Sequence, residues 1–122
     1  MIVTKLIEDN PVIIHHKLSG TLTKSEALIG SEEAIDLVKG VIKNETQILL
    51  MIDVREYIFK DLEAHKVWAI NFKENSLLQG SVKVALVGNN EPKFRAEKEY
   101  MESKTLQFFT KTETALIWLK NA

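Results

Sequence analysis

The chain has 122 residues, 45% hydrophobic and 27% charged, which is enough for one domain with its own core. Lys and Arg number 16 and Asp and Glu 17, a net charge of -1, which excludes a chain-wide basic field and, with it, dedicated nucleic-acid binding. No cysteine is present, which excludes disulfides, thiolate nucleophiles and thiolate metal sites.

Ile2 to Glu8 mixes apolar and polar residues as a strand does, and "EDNP" (Glu8 to Pro11) reads as a turn. Asp and Asn bond back to their own backbone, and Pro fixes φ. "VIIHHKLSG" is a β-branched strand ending at Gly20, so an antiparallel hairpin is expected. Thr23 and Glu26 have capping-box spacing and open a helix with apolar residues at Leu28, Ala34, Ile35, Val38, Val41 and Ile42. Gly30 interrupts that stripe, and "GSEE" predicts a break or kink with Ser31 as a second cap. "QILLMIDV" hardly alternates, the pattern of a central parallel strand covered on both faces. Asp61 caps the next helix, which carries Leu62, Ala64, His65, Trp68, Ala69 and Phe72. "SVKVALVG" is another buried strand, "EPKFRAEKEYMES" has Pro92 in its first helical turn, and "TLQFF" is a short strand. Thr110 and Glu113 have capping-box spacing ahead of a closing helix with Ala115, Leu116, Trp118 and Leu119.

The order β-β-α-β-α-β-α-β-α predicts an α/β fold: a mostly parallel five-stranded sheet with one antiparallel edge strand, in one domain over residues 1–122. In such sheets function sits beyond the carboxyl ends of the strands, here Ser19-Gly20, Asp53-Val54-Arg55, Gly88-Asn89-Asn90 and Phe109-Thr110. No basic start precedes a long apolar run, and no run nears the roughly 20 residues that span a bilayer. The expectation is a cytoplasmic protein with no membrane insertion.

"ILLMIDVREY" ends in the most pointed cluster of charge, Asp53, Arg55 and Glu56. Asp53 is placed to bind a metal, take a proton or receive a partner's cation, and Arg55 to grip a carboxylate or phosphate through both nitrogens. The plainer alternative is that Asp53 caps a turn and Arg55 pairs with a neighbouring acid. His15 and His16 are adjacent on a strand and point to opposite faces, and no HxH or HExxH spacing exists, so neither a metal nor a cofactor is expected. Ser19, His16 and Asp53 fall toward one end of the sheet, but no G-x-S-x-G elbow frames a nucleophile, and no catalytic residue is assigned. "VGNNEPKFR" has one glycine and no phosphate-loop spacing; Lys93, Arg95 and Lys98, offset by Glu91, Glu97 and Glu99, read as a solvated helix face. Trp68 and Phe72 share a helix face, as core residues do. Tyr57, Ile58 and Phe59 stand in a connection, either tucked under a helix or exposed as a contact patch.

Four stretches carry a family resemblance: "HHKLSGTLTKSE", "ILLMIDVREY" with "DLEAHKVW", "VKVALVGN" and "ETALIWL". In that order they resemble the SpoIIAA-like branch of the STAS superfamily, over almost the whole chain. The resemblance implies a (βα)n right-handed superhelix with neighbouring strands in sequential order, and a structural relation to lipid-binding CRAL-TRIO domains. Anti-sigma antagonists of the superfamily are phosphorylated on a Ser just after the central strand. The corresponding "DVREYIFKDLE" has no Ser or Thr, so that switch does not carry over. What carries over is a surface for protein contact.

The expected function is therefore a non-catalytic regulatory or protein-interaction module. Its contact residues are Asp53, Arg55, Glu56, Tyr57, Phe59 and Trp68, and its partner is another protein or a second copy of the chain as a homodimer. The alternatives are a carrier of a small apolar or lipid-like ligand held between helices and sheet near Trp68 and Phe72, and an enzyme using Asp53 with His15, His16 or His65.

Overall fold

The computed structural model describes residues 1–9, 11–42, 48–74 and 81–121. In chain order these are β1 (Ile2–Asp9), β2 (Val12–Gly20), α1 (Lys24–Ile42), β3 (Ile48–Tyr57), α2 (Leu62–Glu74), β4 (Ser81–Val87), α3 (Pro92–Met101), β5 (Leu106–Phe109) and α4 (Thr112–Lys120). The sheet order is β1-β2-β3-β4-β5, with β1 antiparallel to β2 and every other pair parallel. This is the expected architecture. The helices α1, α2 and α3 each connect neighbouring parallel strands, a connection that is right-handed as a rule.

The unalternating run of β3 is explained by burial on both faces. Leu50 and Ile52 pack with Ile14, Val84, Ala34 and Val38 under α1, while Leu49 and Met51 pack with Ile13, Ala85, Ala115 and Leu119 under α4. A third apolar group, Leu18, Leu22, Ala27 and Ala64, joins the start of α1 to α2. Burying a Leu, Ile or Val fully is worth about 1.5–3 kcal/mol, so most of the stability resides in these three groups.

Two bulges shape the sheet. On β1, Leu6 pairs with Ile14 and Glu8 with Ile13, so Ile7 is an extra residue on the edge strand. A bulge of this kind, with Lys5 beside it, hinders another chain from adding to that edge. On β3, Lys17 pairs with Asp53 but Ser19 with Glu56, so β3 takes three steps against two in β2. The extra residue inverts the alternation of side chains beyond it.

The expected caps hold at α1 and α2. Thr23 Oγ1 accepts the Glu26 N–H and Glu26 Oε1 accepts the Thr23 N–H, at 3.1 and 3.2 Å, and Asp61 Oδ1 accepts the Ala64 N–H at 3.1 Å. Pro92 opens α3 as expected. The kink at "GSEE" does not form: α1 runs unbroken, and Ser31 Oγ donates back to the Ala27 carbonyl at 2.6 Å instead of capping a new helix. Gly30 has a packing role, because a Cβ there would stand 2.6 Å from Ile2 Cβ. The Thr110–Glu113 capping box also fails. The chain bends at Thr110 after β5, and Lys111, with extended backbone angles, becomes the residue before the helix and has no side-chain cap. The left-handed turn falls at Gly20, with φ 63°, where the chain leaves β2 for α1.

Candidate functional site

Asp53 stands where β3 approaches its carboxyl end and is 1% exposed. Arg55, two residues on, grips it through both nitrogens: Nε donates to Oδ1 at 3.0 Å and Nη2 to Oδ2 at 2.8 Å. The Arg55 backbone N–H adds a third bond to Oδ1 at 3.2 Å. Burial pushes the Asp53 carboxyl up, and the bonds from Arg55 more than offset it, so the carboxyl lies below the usual aspartate range. The same side-chain bond raises Arg55 further above the ordinary guanidinium value.

His15 on β2 completes this group. Its Nε2 is 3.5 Å from Asp53 Oδ2, a long ion-pair contact rather than a hydrogen bond, and has no hydrogen-bond partner. Burial lowers the His15 pKa more than the Asp53 charge raises it, so the ring favours its neutral form. Lys17 and Glu56 pair at 2.7 Å on the rim, and Asn89 donates to the Arg55 carbonyl at 2.7 Å, tying the end of β3 to the turn after β4.

The second group lies on the opposite face. His16 is fully buried, and Trp68 Nε1–H donates to its Nε2 at 2.9 Å across 52 residues of sequence. Indole is a donor only, so His16 Nε2 must be the acceptor and the proton sits on Nδ1, which donates to Thr4 Oγ1 at 2.8 Å. The two rings are within 9° of parallel, with centroids 6.1 Å apart. Burial drives the His16 pKa down to about 4, with the neighbouring His15 adding to the effect. Tyr57 joins this side because the β3 bulge turns it over. Its hydroxyl bonds His65 Nδ1 at 3.0 Å, and burial raises its pKa. Phe59 meets the His65 ring edge to face at 4.5 Å, and His65 lies 5.7 Å from Trp68.

The six residues singled out in the sequence thus divide. Asp53, Arg55 and Glu56 belong to the α4 face, and Tyr57, Phe59 and Trp68 to the α1/α2 face. The Ser19, His16 and Asp53 constellation is not assembled, because His16 and Asp53 point to opposite sides. Trp68 is held in place by His16; the side chain of Phe72 lies outside the described residues. No group of three or more His, Asp or Glu suited to a metal ion occurs among the described residues.

Of the two readings of Tyr57, Ile58 and Phe59, the exposed patch holds for Ile58 and Phe59, while Tyr57 turns inward; Leu62 and a groove were not anticipated. Ile58 and Leu62 flank Phe59 as an exposed apolar tip, at 52, 43 and 54% exposure for Ile58, Phe59 and Leu62, with the Ile58 N–H anchored to the Gly20 carbonyl at 2.9 Å. A groove also opens between α3 and the start of α4, lined by Arg95 and Lys98 as well as Phe109 and Thr110. The signal for the groove was present. Arg95 and Lys98 share a helix face by their spacing, and Thr110 follows a strand's carboxyl end.

Sheet order, crossovers and the helix arrangement define an α/β domain with a SpoIIAA-like fold. The chain is similar in structure to an uncharacterised DUF3478-family protein from Shewanella loihica PV-4, itself described as having a SpoIIAA-like fold. The two are 20% identical and superpose with a TM-score of 0.65 over 98% of this chain and 92% of that one. Likeness at that identity establishes the fold, in agreement with the resemblance read from the sequence. No protein-family model matches the chain, and no curated protein matches it.

Proposed function

We propose that the chain is a non-catalytic regulatory module of the cytoplasm that binds another protein through the apolar tip following β3. The exposure of Ile58, Phe59 and Leu62 together carries this reading. Exposed apolar side chains gathered at one place mark contact sites more often than isolated ones do. The tip is also held in shape before any partner arrives, by the Ile58 bond to Gly20, the Asp61 cap and the Phe59–His65 ring contact. Preorganisation of this kind lowers the entropy lost on binding.

The chemistry around Asp53 favours the same reading over an enzyme. Both carboxylate oxygens are engaged by Arg55, so Asp53 is committed to the fold. The helix Leu62–Glu74 supplies both Leu62 to the tip and Trp68 to the bond with His16. No described helix is long and apolar enough to cross a membrane.

A second copy of the chain is the first partner to test. Ile58→Ser with Leu62→Ser removes the apolar tip from exposed positions and leaves the core alone. Sedimentation or native mass measurement should show weakened self-association, and affinity capture should show loss of any partner that wild-type protein retains. Unchanged self-association together with unchanged capture refutes the surface.

A further inference from the structure

The groove beyond the carboxyl end of β5 has a volume of about 570 Å³, within the roughly 300–1,000 Å³ usual for small-molecule sites. We propose that it binds a small aromatic monocarboxylate, with the carboxylate between Arg95 and Lys98 and the ring against Phe109. This is independent of the protein-contact reading, which concerns the end of β3.

Charge carries the argument. Arg95 and Lys98 are three residues apart on α3, so they stand on one side of the helix, and both are exposed. No ion pair joins either of them to a carboxylate among the described residues, although Glu99 lines the same groove. Two neighbouring cations repel each other, and an anion between them relieves that repulsion. A guanidinium beside an ammonium suits a carboxylate, which accepts two parallel bonds from arginine and a third from lysine. Glu99 selects the charge. Two cations and one carboxylate leave the wall with a surplus of one positive charge, matching a carboxylate better than a phosphate monoester, which carries about -1.5 to -2 at neutral pH.

The body of the ligand is set by the other wall. Phe109 is half-buried and packed against Trp118 with ring centroids 5.6 Å apart, so it offers a fixed apolar surface. Phe108, buried and its neighbour on β5, also lines the groove. Thr110, which is exposed, and Thr114, whose Oγ1 donates to the Lys111 carbonyl at 3.0 Å, complete the lining.

The test uses the full chain and three probes of one shape: 2-naphthoate, 2-naphthyl phosphate and 2-naphthylmethanol, each titrated while backbone amide resonances are followed. The proposal expects 2-naphthoate to bind most tightly and to move the amides of Phe109, Thr110 and Thr114. Arg95→Gln with Lys98→Gln should weaken it by roughly tenfold or more with the rest of the spectrum unchanged. Lys66→Gln, on α2, should leave binding as in wild type. Equal binding of the neutral alcohol overturns the proposal, as do tighter binding of the phosphate, shifts elsewhere on the protein, or an unchanged affinity in the double variant.

Discussion

Replacing Arg55 with leucine strips Asp53 of its two side-chain hydrogen bonds, at 3.0 and 2.8 Å, and leaves the backbone bond at 3.2 Å. Asp53 is 1% exposed, so water does not readily replace them. Removing one partner of a buried pair costs about 3–5 kcal/mol. The Arg55 side chain is 36% exposed, which screens its outer edge, so a loss of roughly 2–3 kcal/mol is expected. The sign of the pH dependence is the sharper test. In the wild type the Asp53 carboxyl lies below its ordinary value, so its contribution is present above about pH 4 and is lost as pH falls through the folded pKa. Without Arg55, burial dominates and the carboxyl rises above the unfolded value. Folding then takes up a proton, and the penalty disappears as pH falls. The gap in stability between wild type and Arg55→Leu should thus be widest near neutral pH and narrow in acid. The His15 resonance should titrate at higher pH in the variant, because Arg55 no longer opposes its charge while Asp53 still attracts it. Urea midpoints from about pH 7 down to about pH 3 measure the gap. Adding Asp53→Asn to Arg55→Leu should recover part of the loss, since the uncompensated charge is gone. A gap under about 0.5 kcal/mol at neutral pH, or one that widens in acid, refutes the buried pair.

Two further predictions concern the interior. His16 has its folded pKa lowered from 6.5 to about 4, so the unfolded chain takes a proton through that window while the folded chain does not. Stability should fall as pH drops from about 6.5 to about 4, by about 3 kcal/mol from this residue at about 1.4 kcal/mol per pKa unit, and His16→Gln should flatten the slope in denaturant titrations. Gly30→Ala should destabilise despite a helix-propensity gain of about 1 kcal/mol, because its Cβ would stand 2.6 Å from Ile2 Cβ. Gly40→Ala, with nothing within 4 Å of the added Cβ, should stabilise by about 0.5–1 kcal/mol, and thermal melts of the two variants should move in opposite directions.

Periodicity and punctuation carried the order of elements. The unalternating "ILLMID" is a run that only burial on both faces accommodates, and the capping box at Thr23 and the cap at Asp61 are satisfied within a few residues of chain. Where the local reading failed, a distant residue decided. Gly30 resembles a helix breaker until Ile2 is seen packed against it. Thr110 resembles a cap, but it falls in the bend after β5, and Lys111 takes the position before the helix.

The sequence by itself determined that this is a parallel α/β domain whose charged and aromatic residues gather after the central strand. Local spacing sufficed for that, because hydrophobic period and capping are properties of neighbours in the chain. Only the tertiary structure decided how those residues are shared between two faces. A single extra residue between Asp53 and Glu56 sends Tyr57 to His65 while Arg55 stays on Asp53, and a bulge exists only relative to the strand beside it. The His16–Trp68 bond and the cationic groove of α3 likewise join segments that sequence separates and packing brings together.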